Sequence, residues 1–277
     1  MLGSAISEHL STNRNLEIFS ANRSHIPNSI VFDAKTDSPD ILISRIKPHY
    51  VINSIMARNN ETGIKLINSF YLHSVFQKNL MKACFKNKSF LIQPATDAVF
   101  QNSHGNRNEK SIKNGNSIYS RTKILGERYT HNTLFLRTSL LGFDLERSSE
   151  PHLMSWLLRK PLGSTVYGYT NYLWNGISTK VFSQIVEQII LSGFNEPRTQ
   201  HIVPDNSLSK FQILQHIARS ANRLDLIIAP MGLEKSIDLR LSTEFSDFNS
   251  SLFNLAGYSK LPTIQEMIDE MIKHHYS

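Results

Sequence analysis

Apolar positions along this chain repeat with two different periods, and the two alternate. Short runs rich in β-branched and aromatic residues occur at "LEIFSA" (16–21), "SIVFDA" (29–34), "YVINSI" (50–55), "SFLIQPA" (89–95) and "TLFLRTSLLG" (133–142). Such runs predict strands. Between them lie segments whose apolar residues recur every three or four positions, the spacing of one helix face. These are "SPDILISRIKP" (38–48), "GIKLINSFYLHSVFQKNLMKACFKN" (63–87) and "SIYSRTKILGERYTH" (117–131). The chain also opens on a helical pattern, "MLGSAISEHL", with Ile6 and Leu10 on one face. The polar stretch "QNSHGNRNEKSIKNGNS" (101–117) predicts a loop.

Strands that alternate with helices predict βαβ units and a parallel sheet covered on both faces. The alternation weakens after Gly142, where Pro, Gly, Tyr and Trp become frequent. One clear helix follows, "KVFSQIVEQIILSG" (180–193). The expected architecture is therefore a doubly wound α/β domain over 1–142, with 176–197 returning to it. A smaller substrate lobe is expected to take most of 143–277.

The remaining bulk properties narrow the function classes. The net charge is +7, from 30 Lys+Arg against 23 Asp+Glu. No basic run with interleaved aromatics accompanies it, so nucleic acid is not expected as a partner. No apolar run is long enough to span a membrane, and no signal peptide opens the chain, so the expectation is a cytoplasmic protein. The single cysteine, Cys84, sits in an apolar helical stretch and reads as a buried small hydrophobe. Histidine spacing gives no expected metal site.

The strongest local chemical feature is "YSRTK". Tyr119 and Lys123, four apart, share a helix face. A free phenol has a pKa near ~10, and a neighbouring ammonium lowers it, so the pair makes a sensible acid/base unit. Upstream, the strand over 89–95 ends in "ATDAVF", which places Thr96 where a hydroxyl can polarise a carbonyl oxygen. Downstream come Gly126-Glu127 and "TLFLRTS".

In this order, these segments resemble the extended short-chain dehydrogenase/reductase family, and more narrowly its dTDP-4-dehydrorhamnose reductase-like branch. The resemblance extends through "KPHYVINSI", "LINSF", "GYTNYLWNGIST" and "LSKFQILQHIA". It implies reduction of a nucleotide-linked 4-keto-6-deoxy sugar for surface-polysaccharide synthesis. A nucleotide-sugar epimerase or dehydratase, or a non-catalytic relative, stays open beside it. Tyr119 would donate the proton, Lys123 would lower its pKa and hold the nicotinamide ribose, and Thr96 would hold the carbonyl oxygen. Asn68 would support them from its helix. Gly3, Asn53, Ser54, Asp33 and Thr138 would contact the cofactor, with Arg137 and Ser139 near its nicotinamide end. Arg23 follows "LEIFSA" without an acidic neighbour in its turn, which favours NADP(H) over NAD(H). Trp174 and Asn175 would touch the substrate, with core packing and a turn as the competing reading. A homodimer is compatible with the family. Two departures, Ala95 for the family's Ser and Ala98 for its Tyr, bear on substrate identity more than on reaction type.

The family's phosphate-binding turn runs Gly-x-x-Gly-x-x-Gly, and Gly3 falls on its last glycine. The sequence therefore implies a Rossmann-like sheet without its first, central strand. An upstream start, a truncated product and an adapted fold are all compatible with this.

Overall fold

A computed structural model describes residues 1–57, 64–102, 105–127, 132–144 and 151–276. The chain opens with α1 (Leu2–Ser11), which buries Ile6 and Leu10. From "LEIFSA" only the end becomes a strand, β1 (Ser20–Asn22), because its parallel partner β2 (Ser29–Val31) reaches no further. Leu16 and Ile18 pack against the core without a strand partner. Helix α2 (Pro39–Ile46) begins with Pro in its first turn and ends at Lys47, whose φ of 53° lets the chain turn toward β3 (Tyr50–Ile52). The long helical pattern becomes α3 (Ile64–Phe70), a π-helical segment (Tyr71–Phe76) and α4 (Gln77–Lys86). Then follow β4 (Phe90–Ala95), α5 (Ile118–Gly126), β5 (Thr133–Arg137) and β6 (Leu140–Leu141).

The later part contains α6 (Leu153–Leu158), β7 (Thr165–Tyr169), β8 (Tyr172–Trp174), β9 (Ile177–Ser178), α7 (Thr179–Leu191) and β10 (Arg198–His201). It ends with β11 (Leu208–Ser209), α8 (Lys210–Ser220), β12 (Ile227–Met231), β13 (Ile237–Asp238), α9 (Ser246–Leu255) and α10 (Ile264–Tyr276).

The main sheet is parallel, in the order β10-β5-β4-β3. Side chains alternate across it with period two. Ile92, Leu134 and Leu136 join the cluster that includes α1 and α7, while Leu91 and Phe135 join the one that includes α2 and α4. Both faces are thus covered. The pair β1–β2 forms a separate sheet. In a doubly wound fold the first strand lies between the second and the fourth. Here those neighbours correspond to β1 and β3, and that is where the hydrogen-bonded sheet divides.

Helix α7 packs on α1, and β10 adds to the edge of the main sheet beside β5. The main sheet thus takes in residues 198–201. Of the other late strands, β9 pairs with β6, and the rest form the small sheets β12–β7 and β11–β8–β13 against α8.

Candidate active site

The carboxyl end of β4 delivers Thr96. Its hydroxyl donates to Asp97 Oδ1 at 3.1 Å and accepts from the backbone N–H of Ala98 at 3.1 Å, capping a short 3₁₀ turn over Asp97–Val99. Asp97 is buried and accepts a second bond, from Ser139 Oγ at 2.5 Å. Burial raises the pKa of its carboxyl group, and these hydrogen bonds oppose the rise.

Helix α5 brings Tyr119, and with it Lys123, beside Thr96. It starts there because Ser117 Oγ accepts from the N–H of Ser120 at 3.0 Å, an N-cap. Lys123 Nζ lies 5.8 Å from the Tyr119 ring centroid. The electrostatics differ from the expectation that Lys123 lowers the phenol pKa. Burial pushes the Tyr119 phenol up to about 12, with the Thr96 hydroxyl opposing and the Asp97 and Glu127 carboxylates adding to the rise. Burial also brings the Lys123 ammonium down to about 8, with Glu127 pulling it back up. Desolvation outweighs the attraction between the pair.

The helix that precedes β4 supplies a residue absent from the expected set. His73, in the π-helical segment, is 1% exposed. Its Nε2 accepts from the backbone N–H of Ala57 at 3.1 Å, so its Nδ1 carries the proton and donates to Thr122 Oγ1 at 3.1 Å. Thr122 Oγ1 in turn donates to the Tyr119 carbonyl at 2.9 Å. Burial and the Lys123 charge lower the His73 pKa to about 3, so the imidazole is neutral. His73, five residues beyond Asn68, thus bridges to α5, as does Gln77, whose Nε2 donates to the Gly126 carbonyl at 3.1 Å. Glycine at 126 makes the approach possible: a Cβ there would lie 2.1 Å from the His73 carbonyl oxygen.

The residues expected at the cofactor divide into two groups. Gly3 and Ser54 meet: a Cβ at Gly3 would lie 2.4 Å from Ser54 Oγ, so the first turn of α1 sits against the end of β3. Asn53 is buried, donates to Gln93 Oε1 at 2.8 Å and accepts from the N–H of Ile55 at 3.2 Å. Arg23 is exposed just past β1. Asp33 closes a local turn, its Oδ1 accepting from the N–H of Lys35 at 3.0 Å. Thr138 is buried, with its hydroxyl on the Ser139 carbonyl at 3.2 Å.

Three further residues named from the sequence are set in packed surroundings. Trp174 is buried in the main core. Asn175 is buried and doubly paired with the backbone of Leu241, donating at 2.7 Å and accepting at 2.8 Å, which leaves its amide committed to the fold. Arg137 is the last residue of β5. It is 1% exposed and binds Glu127, with Nη1 on His201 Nε2 at 2.8 Å. Lys113 reaches the same Glu127 Oε2 at 2.8 Å, tying the 105–117 loop to β5 and β10. Cys84 is buried, and its thiol is pushed up to about 12 by burial.

The residues present suit a nicotinamide cofactor at one end of the crevice. Lys123 is buried, and among the described residues its ammonium makes no hydrogen bond or ion pair, which leaves its donors for ribose hydroxyls. At the other end, the first turn of α1 offers backbone N–H groups toward a pyrophosphate.

Comparisons with known proteins give the family and the fold. The family model described as "RmlD substrate binding domain" matches residues 1–277. The fold is similar to a dTDP-4-dehydrorhamnose reductase from Clostridium acetobutylicum, with a TM-score of 0.76 and 18% identity, over 100% of this chain and 96% of that one. It is similar to the dTDP-4-dehydrorhamnose reductase of Bacillus anthracis in complex with NADP, with a TM-score of 0.70 and 16% identity, over 85% of this chain and 84% of that one. It also resembles MoeE5 in complex with UDP-glucuronic acid and NAD, with a TM-score of 0.74 and 15% identity, over 99% and 95%. No curated protein sequence gives a match.

Proposed function

Given that the chain belongs to the RmlD substrate-binding-domain family, we propose that it is an NAD(P)H-dependent oxidoreductase that reduces a nucleotide-linked 4-keto-6-deoxy sugar. Such a product would enter deoxysugar and polysaccharide synthesis in the cytoplasm. The observation that carries this reading is the grouping of Tyr119 with Thr96 at the carboxyl end of β4 and with Lys123, whose Nζ lies 5.8 Å from the phenol ring centroid. A protonated phenol is a donor, which reduction of a ketone needs.

When bound, the cofactor would supply the hydride. Lys123 would hold the nicotinamide ribose, and the first turn of α1 would meet the pyrophosphate. Exposed Arg23, with no carboxylate in its turn, favours a 2′-phosphate and hence NADP(H). Thr96 would orient the substrate oxygen and Tyr119 would protonate it. His73 would hold the backbone of α5 in place from behind.

The test is turnover of dTDP- and UDP-linked 4-keto-6-deoxy sugars by the purified chain, followed as loss of NADPH absorbance, with Tyr119→Phe alongside. Net NADPH consumption that falls at least ~100-fold in the variant supports the reading, since general acid catalysis contributes about 10²–10⁴-fold. Sugar conversion without net NADPH consumption would indicate redox-neutral epimerase or dehydratase chemistry. Retention of wild-type turnover by Tyr119→Phe would overturn the assignment of the proton donor.

A further inference from the structure

Lys210 opens α8 immediately after its N-cap, Ser209. A cation in the first turn of a helix works against the helix dipole, so local helix energetics do not explain it. Its position is fixed by β11. Leu208 and Ser209 pair antiparallel with Trp174 and Leu173, which brings Lys210 alongside Tyr172. The ammonium sits over that ring, 4.8 Å from its centroid.

Lys210 is half-buried, and among the described residues it makes no hydrogen bond or ion pair. Asp97 is the carboxylate it senses most strongly. Yet the Asp97 oxygens are already engaged by Ser139, at 2.5 Å, and Thr96, at 3.1 Å. Asp97 also acts electrostatically on Tyr119 and Tyr172. It thus stands as the common neighbour of the proton donor on α5 and the Lys210–Tyr172 pair on the substrate lobe. A partly desolvated ammonium with three donors and no acceptor is costly unless a ligand supplies an oxygen.

We propose that Lys210 is an anion-recognition residue of the substrate lobe, binding an oxyanion of the nucleotide-linked substrate across the crevice from Tyr119. The proposal rests on the reading that the ligand is a nucleotide sugar. The oxyanion has two sources, the diphosphate, which the 4-keto-6-deoxy substrate carries, or a C6 carboxylate, which would move the substrate to the nucleotide-linked uronic acids.

Calorimetric titration of the full chain with UDP, dTDP, UDP-glucose and UDP-glucuronic acid separates them without requiring turnover. Lys210→Met and Lys210→Arg are titrated in parallel, with thermal melts to establish folding. A charge-assisted hydrogen bond corresponds to roughly 10- to 150-fold in affinity. The expected result is a loss of that size in Lys210→Met, with most of it restored in Lys210→Arg. If all four ligands weaken alike, the diphosphate is the partner. If UDP-glucuronic acid alone weakens, it is the sugar carboxylate. Wild-type binding that a folded Lys210→Met protein fully retains would overturn the role of Lys210 and leave the nucleotide-sugar reading intact. A wild-type chain that binds none of the four would overturn both.

Discussion

The ring of His73 meets the ring of Tyr119 edge-on, with centroids 5.4 Å apart and planes at 85°. The contact joins a helix before β4 to the helix that carries the acid/base pair. It depends on the π-helical segment, whose wider turn shifts the side-chain register relative to an α-helix.

Replacing His73 with Leu would leave the Ala57 N–H without its acceptor and Thr122 without a donor. Each unsatisfied buried group costs about 1–3 kcal/mol. His73→Leu is expected to lower the melting temperature and reduce kcat more than KM, while His73→Asn recovers part of both. The imidazole also carries an acid signature. Its folded pKa near 3 lies below the ordinary 6.5. Above 6.5 it is neutral in both states, and stability is lost as pH falls from 6.5 toward 3. Denaturant melts between pH 7 and pH 4 should show a shallower acid loss in His73→Asn than in the wild type.

Lys123 is expected to trade stability for function. Its folded pKa near 8 lies below 10.5. Below pH 8 it is charged in both states, and burying that charge costs about 3 kcal/mol, at about 1.4 kcal/mol per pH unit. The penalty is relieved as pH rises from 8 toward 10.5, where only the unfolded chain keeps the proton. Lys123→Met should therefore be more stable than the wild type at pH 7, with a gap that narrows toward pH 10. It should also lose turnover. A variant less stable than the wild type at pH 7 would contradict this account of the burial cost.

Gly126 should tolerate no side chain. A Cβ there meets the His73 carbonyl at 2.1 Å and Gln77 Oε1 at 2.9 Å, and backbone cannot yield as a side-chain tip can. Gly126→Ala is expected to cost about 1–3 kcal/mol, the range for overpacking. It should also displace α5, so kcat should drop in protein that remains folded. The measurement is an equilibrium urea melt paired with turnover.

Asn175 should behave as a structural residue. Its amide pairs twice with the Leu241 backbone. Asn175→Ala is expected to lower the melting temperature and leave the KM for the sugar substrate of the folded protein unchanged. A selective rise in KM without loss of stability would return it to the substrate site.

What the sequence made legible was local. Thr96 at a strand end and Tyr119–Lys123 one helical turn apart are patterns within a few residues, and the three lie close together in the fold. The alternation of strands and helices likewise follows from short-range periodicity. What stayed hidden depends on distant partners. Thr122 is 49 residues from His73, and Leu241 is 66 from Asn175. A helical pattern cannot reveal that a π turn rotates His73 toward α5. Nor can it separate a tryptophan that lines a site from one in the core, since both are apolar and strand-borne. The surroundings of Arg137 were hidden for the same reason: Glu127, Lys113 and His201 converge only in the folded chain.

Among the described residues β1–β2 forms a leaf of its own, with no strand ladder to β3, and Ser7 Oγ with Ser20 Oγ, 2.8 Å apart, is one side-chain link from α1 to that leaf. A ligand that reached from Arg23 on the leaf to Lys123 on the body would act as a staple between them. Part of its binding energy would be spent on docking the leaf, which lowers apparent affinity, and ligand concentration would set how firmly the leaf is closed. In such an arrangement the cofactor is a removable structural member as well as a reagent.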